Sequence, residues 1–222
     1  MKFKLAVFDI DGTITKHISS WQFLHEKLGE WNDNAIRYQK RFLEGKISYR
    51  KFCRLDAAHW KGKDAAMMYG LFREIGYTKN AEKAVQILKE KGFKLAAIST
   101  GIQFIVERIE RELALDYAIG NRLKERKGKL TGGVVIKVSH LGKGRILRDV
   151  LRRFHIPPSK SIVVGDSEGD LPMMRMAGYA IAFNASSPAL KETADYCCRS
   201  DDFMEVCDKV LEVSNIERER RT

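Results

Sequence analysis

An α/β fold, a parallel sheet flanked by helices and carrying an all-helical insertion and a small β-hairpin, follows from three features of the sequence. Short apolar runs at 4–9, at 94–99 (KLAAIS) and at 161–165 (SIVVG) each lead into small or acidic residues, as buried strands do at the edge of a sheet. Stretches with helical spacing of apolar residues separate the later runs, an alternation that implies βαβ units. The gap between the first two runs is far longer than one crossover helix needs, so something is inserted there.

In chain order, the first strand is 4–9. The insertion, 16–76, reads as three short helices between 20 and 60 and a fourth near 64–75, with Ser20, Asp33 and Ser48 as N-caps and Gly29 and Gly45 as stops. A helix over 80–91 carries Ala84, Val85, Ile87 and Leu88 on one face and stops at Gly92. The strand 94–99 follows, then a helix over 102–113. Residues 121–138 alternate around KGK and GG and read as a β-hairpin beside the main sheet. A helix over 144–154 leads to the strand 161–165. The core domain is therefore 1–15 with 77–222, the helical cap is 16–76, and the tail 215–222 is expected to be disordered.

A chain of 222 residues has room for both units, and 44% hydrophobic residues with 9% aromatics suit a globular protein. No apolar run is long enough to span a membrane, and Leu5–Phe8 meets Asp9 too soon for a signal peptide, so a cytoplasmic protein is expected. The net charge of +11 is spread over helices that also carry glutamate, without an aromatic-interleaved patch, which argues against nucleic acid and for anionic small substrates or simple solubility. Cys53, Cys197, Cys198 and Cys207 lack zinc-type spacing; buried thiols are expected, with a Cys198–Cys207 link left open.

The chemistry gathers at the strand ends. Asp9 and Asp11 end the first strand, STG (Ser99, Thr100, Gly101) ends the second, Lys143 opens a helix within GKG, and GDSEGD, with Asp166 and Asp170, ends the third. The C-terminal edge of a parallel sheet is where such folds bind ligands. Clustered carboxylates repel unless a cation sits among them, and without histidine or cysteine the set suits a hard, oxygen-seeking ion, Mg2+ first. With Lys143 that ion would offset the carboxylates and stabilise a phosphate ester during phosphoryl transfer.

FDIDGTIT, ISTG, Lys143 and VGDSEGD, in that order, resemble the four motifs of the haloacid dehalogenase (HAD) superfamily, most closely its phosphoserine phosphatase-like group. The resemblance implies a Rossmann-like core with a cap and a Mg2+-dependent phosphomonoester hydrolase acting on a small phosphorylated metabolite. By it, Asp9 is the nucleophile that forms an aspartyl-phosphate, and Asp11 is the general acid and base. Ser99 and the amides of Thr100 and Gly101 bind the phosphoryl group, Ser99 serving also as a helix N-cap. Lys143 clamps the phosphate, and Asp9, the Asp11 carbonyl and Asp166 hold the metal with Asp170 in support. Thr13 steadies the turn. Asp11 sets the chain apart from dehalogenases, which lack a second acid, and from transport ATPases, which carry threonine there.

Gly169 stands where relatives often have asparagine, so a contact near metal or phosphate is expected to be missing. In phosphoserine phosphatases an acidic residue after the first motif holds the substrate's amino group, and a cap arginine its carboxylate. Here the first position falls on or near Ile18, and Arg54 and Asp56 compete for the second. Asp56 shares an apolar helix face with Tyr49, Phe52 and Trp60 and is equally well read as paired inside the cap. The preferred reading is an enzyme that hydrolyses phosphoserine less well than a dedicated phosphatase. A true phosphoserine phosphatase, a phosphotransferase or mutase, and a non-catalytic nucleic-acid-binding or regulatory protein on this scaffold are the alternatives.

Overall fold

The computed structural model describes residues 2–219. Strand β1 (Leu5–Phe8) is buried on both faces, and its alternation sorts the core. Leu5 and Val7 point to one side, Ala6 and Phe8 to the other.

After β1 come α1 (Ser20–Lys27), α2 (Asp33–Leu43), α3 (Tyr49–His59) and α4 (Ala65–Leu71), the all-helical insertion. The N-caps of α1 and α2 lie one residue earlier than expected: Ser19 accepts from the Gln22 amide and Asn32 from the Asn34 and Ala35 amides, while Ser48 caps α3. A cap must precede the first helical residue to reach the free amides, and Ser20 is thereby released for another task. Gly29 and Gly45 end their helices at φ of +65° and +70°, a backbone region that favours glycine. The chain leaves and re-enters the sheet region side by side, the Lys16 amide donating to the Gly76 carbonyl at 3.1 Å and the Thr78 amide to the Ile14 carbonyl at 2.9 Å.

The rest of the chain forms α5 (Ala81–Glu90), β2 (Lys94–Ile102), α6 (Gln103–Glu112), β3 (Tyr117–Arg126), β4 (Lys129–Val135), α7 (Lys143–Phe154), β5 (Ser161–Gly165), α8 (Leu171–Met174), β6 (Tyr179–Ala182), α9 (Pro188–Thr193), β7 (Tyr196–Cys197) and α10 (Met204–Glu219). One seven-stranded sheet runs β4-β3-β2-β1-β5-β6-β7, parallel except for the β3–β4 hairpin. Val7 sits in register between Ala96 and Val163. Helix α7 packs Ile146, Leu147 and Val150 on the Leu5 and Val7 face; α5, α6 and α10 cover the other, with Val85, Ile109 and Val210.

The hairpin is not beside the sheet but part of it. The first half of β3 pairs with β2 and the second half with β4, around a turn with Lys127 and Gly128 at φ of 51° and 73°. Strand β2 continues past Ser99 to Ile102, and everything after β5 is unforeseen structure: YAIA and YC are too short to register as strands by periodicity. All four cysteines are free thiols, so Cys198 and Cys207 are not linked. Of the tail expected to be disordered, α10 runs to Glu219, and 220–222 lie outside the described residues. No described helix is long and apolar enough to cross a membrane.

Candidate active site

The ends of β1, β2 and β5 and the start of α7 bring the predicted charged groups together. Lys143, buried at the first turn of α7, places its Nζ 2.6 Å from Asp9 Oδ1 and 2.6 Å from Asp170 Oδ1. The other oxygen of Asp170 accepts from the Asp166 and Ser167 amides, both at 3.1 Å, and from Ser167 Oγ at 3.2 Å. With both oxygens engaged, Asp170 fixes the lysine and the backbone that carries Asp166.

Asp11 faces the N-terminus of α1. Its Oδ2 accepts from the Ser20 amide at 3.0 Å and from Ser20 Oγ at 2.8 Å, and its Oδ1 is buried with no partner. One oxygen is thus held by a helix end that favours negative charge, and the other is left for chemistry. Two glycines permit this crowding. A Cβ on Gly12, whose φ is +81°, would lie 2.3 Å from Asp166 Oδ2, and one on Gly101 would lie 2.5 Å from both Asp11 Oδ2 and Ser20 Oγ.

Ser99 does not cap α6 as expected: its Oγ accepts from the Gly101 amide at 2.9 Å, closing a local turn because β2 runs on for three further residues. That amide is therefore paired within its own loop. The Thr100 carbonyl accepts from Trp21 Nε1 at 3.1 Å, Tyr49 Oη at 2.7 Å and Asn121 Nδ2 at 2.8 Å, which ties α1, α3 and β3 to this one loop.

Burial pushes the Asp9 carboxyl well above its usual range, against the pull of Lys143, and Asp170, Asp166 and Asp11 add to the rise. Burial likewise raises Asp11 despite its bonds from Ser20. Asp166 is pushed up to about 7, by burial first and by Asp170 next. Burial would lower Lys143, but Asp170 and Asp9 outweigh it and raise it. These carboxylates are short of positive charge. Oxygens of Asp9, Asp166 and Asp170 lie within 4.8 Å of one another, an all-oxygen donor set that fits a hard divalent cation.

The family model for haloacid dehalogenase-like hydrolases matches residues 6–175. The chain belongs to that family. It is 33% identical over 208 residues to the phosphoserine phosphatase of Methanocaldococcus jannaschii, covering 92% of this chain and 96% of that protein. It is 33% identical over 197 residues to the phosphoserine phosphatase of Archaeoglobus fulgidus, covering 86% of this chain but only 55% of the relative. A solved phosphoserine phosphatase structure described as a phospho-aspartyl intermediate analogue superposes with a TM-score of 0.82 at 31% identity, over 94% of this chain and 99% of that one. A substrate-bound phosphoserine phosphatase complex superposes with a TM-score of 0.83 at 31% identity and the same coverage. The chain is a phosphoserine phosphatase-like phosphatase.

In this HAD phosphatase a cleft of about 190 Å³ joins the carboxylates to the helical insertion, lined by Asp9, Asp11, Thr100 and Asp166 on the sheet side. Ile18, Trp21, Phe42, Leu43, Tyr49 and Phe52 form much of the other wall. Arg54 and Asp56 do not reach it. Arg54 is exposed on α3 and does not line the cleft, and Asp56 is 1% exposed inside the insertion, its Oδ1 3.5 Å from His25 Nε2. The apolar face read from the sequence is real, and it turns Asp56 inward. A larger cleft of about 450 Å³ opens beyond Asp166, beside Lys16 and Lys79, but does not touch Asp9.

The sequence marks none of Ser20, Trp21, Tyr49, Asn121 and His140 as a site residue. Ser20 carries only the signal of a helix cap, and Asn121, buried between β2 and β4, carries no local motif. His140 lines the cleft, and its backbone carbonyl and ring stand 3.2 and 3.4 Å from where a Cβ on Gly169 would be. Its pKa is lowered, by burial and then by Lys143.

The raised Asp166 makes a testable link between metal and stability. A carboxyl whose folded pKa lies near 7 rather than 3.8 contributes stability at low pH that is lost as pH rises through that window. Thermal melts of the metal-free phosphatase should therefore fall from acid to neutral pH. Saturating Mg2+ should raise the melting temperature more at the alkaline end than at the acid end. A Mg2+ shift that ignores pH would contradict this account.

Proposed function

We propose that the protein hydrolyses small phosphomonoesters through an aspartyl-phosphate at Asp9, with residues 1–15 and 77–222 as the catalytic core and 16–76 as the cap. The observation that carries this is the division of labour between two neighbouring acids. Lys143 holds one oxygen of Asp9, leaving the other to attack phosphorus, while the unpartnered Oδ1 of Asp11 is free to handle the proton. In the first step an Asp9 oxygen bonds to phosphorus, the phosphorus–ester bond breaks, and the raised Asp11 gives its proton to the departing oxygen. In the second, water attacks phosphorus, its proton goes to Asp11, and Asp9 is released. Lys143 holds positive charge beside the transferring group. Asp9, Asp166 and the Asp11 carbonyl would hold Mg2+, with Asp170 in support, and the ion would offset charge on the phosphoryl oxygens.

The cleft indicates what the ester carries. The position at which the resemblance puts an acid for a substrate ammonium falls on or near Ile18, 71% exposed at the cleft mouth, and the insertion offers no charged side chain to the cleft among the residues that line it. The wall of Trp21, Phe42, Tyr49 and Phe52 suits an apolar or aromatic leaving group. Phosphate release over a panel of metabolite phosphates should show kcat/KM for L-phosphoserine below that of the best ester. If L-phosphoserine leads the panel by tenfold, about 1.4 kcal/mol of discrimination, the apolar reading of the cleft fails and the chain is a true phosphoserine phosphatase.

A further inference from the structure

Away from the catalytic carboxylates, the interior of the helical insertion holds a second cluster of metal-binding side chains. His25 on α1, Glu30 in the following loop and His59 on α3 each offer a ligand atom within 4.8 Å of the others. Asp56, one turn before His59 on α3, brings its Oδ1 to 3.5 Å from His25 Nε2, an ion-pair contact in which neither atom has a hydrogen-bond partner. His25 is fully buried, and neither of its ring nitrogens has a partner; Glu30 Oε2 and Asp56 Oδ1 are buried and unpartnered as well. The other Glu30 oxygen is held by Lys63 Nζ at 2.7 Å. Burial raises the Asp56 carboxyl, offset only in part by His25 and His59.

An imidazole with two idle nitrogens beside two idle carboxylate oxygens is a costly arrangement to bury, and native proteins rarely leave such groups unsatisfied. A single cation among them would take up one His25 nitrogen together with the idle carboxylate oxygens. Two histidines with carboxylates form a borderline donor set, suited to zinc-class ions rather than to the hard cation of the Asp9 site. Tetrahedral ligands at 2.0 Å stand about 3.3 Å apart, so the cluster must close somewhat. His59 and Glu30 are only half-buried, and Asp56, which stands outside the group within 4.8 Å, has to close in with them.

We propose that His25, Glu30 and His59, with Asp56 as the fourth ligand, bind one divalent transition-metal ion that ties α1 and its following loop to α3. The site is structural: it lies within the insertion, and its ligands do not line the cleft. It braces the helix whose first residue, Ser20, holds Asp11.

The test is Co2+ titration of the chelator-treated full chain in saturating Mg2+, which keeps the catalytic carboxylates occupied. One equivalent of Co2+ should bind with visible d–d absorption and without the near-ultraviolet charge-transfer band of a thiolate, which would report the cysteines instead. His59→Gln should weaken Co2+ binding by about 100-fold or more while its Mg2+-dependent phosphatase activity stays within about twofold of the parent. Zn2+ should raise the melting temperature of the parent and not of His59→Gln, and Asp166→Asn should keep the Co2+ signal. Should His59→Gln fail to fold, Glu30→Gln serves in its place. The proposal is overturned if the parent takes up no Co2+ under these conditions, if the bound Co2+ shows thiolate bands, or if the ligand variants bind it as tightly as the parent.

Discussion

Asp9→Asn is expected to lower kcat by at least about 10⁴-fold, some 5.4 kcal/mol of transition-state free energy, and to leave the fold intact. An amide cannot form the acyl-phosphate, and no other carboxylate stands in the place Lys143 fixes for Asp9. Stability should hold or rise, because Asp9 is buried against Asp11, Asp166 and Asp170 and its carboxyl is raised by burial before any of them. Removing its charge relieves that crowding, and Lys143 keeps Asp170 as a partner. Single-turnover assays and melts on the same preparation check both halves, with mass spectrometry to exclude deamidation back to aspartate. Residual activity of even a tenth would rule out Asp9 as nucleophile.

Lys143→Met should damage both stability and rate. Lys143 is 1% exposed and is the cation shared by Asp9 and Asp170 at 2.6 Å each. Taking one partner from a buried ion pair costs about 3–5 kcal/mol, because the carboxylates stay behind. Loss of a fixed positive group beside the transferring phosphoryl costs a further factor of about 100 or more in kcat. Asp9→Asn combined with Lys143→Met separates the two effects. With one stranded carboxylate removed, the double variant should be more stable than Lys143→Met alone yet still inactive. Chemical denaturation of the four proteins reads the coupling; strictly additive losses would mean that Lys143 does not compensate Asp9.

The apolar runs, the helix stops and the four charged motifs were legible in the sequence because each is local. A buried strand must be continuous in apolar residues, a helix must end where the backbone can turn left-handed, and acids at strand ends need no knowledge of the rest of the chain. From these came the α/β class, the helical insertion, and the candidate roles of Asp9, Asp11, Lys143 and Asp166. Tertiary structure decided what depends on distance across the chain. It placed Ser20 on Asp11, gathered Trp21, Tyr49 and Asn121 on the Thr100 carbonyl, and set His140 beside Gly169. It also turned Asp56 away from the cleft and toward His25, since a helix face read from one sequence says which residues are buried together but not against what. Local propensity is written along the chain, whereas the partner of a buried charge is settled only when separate elements pack, because only then does desolvation make a missing partner costly.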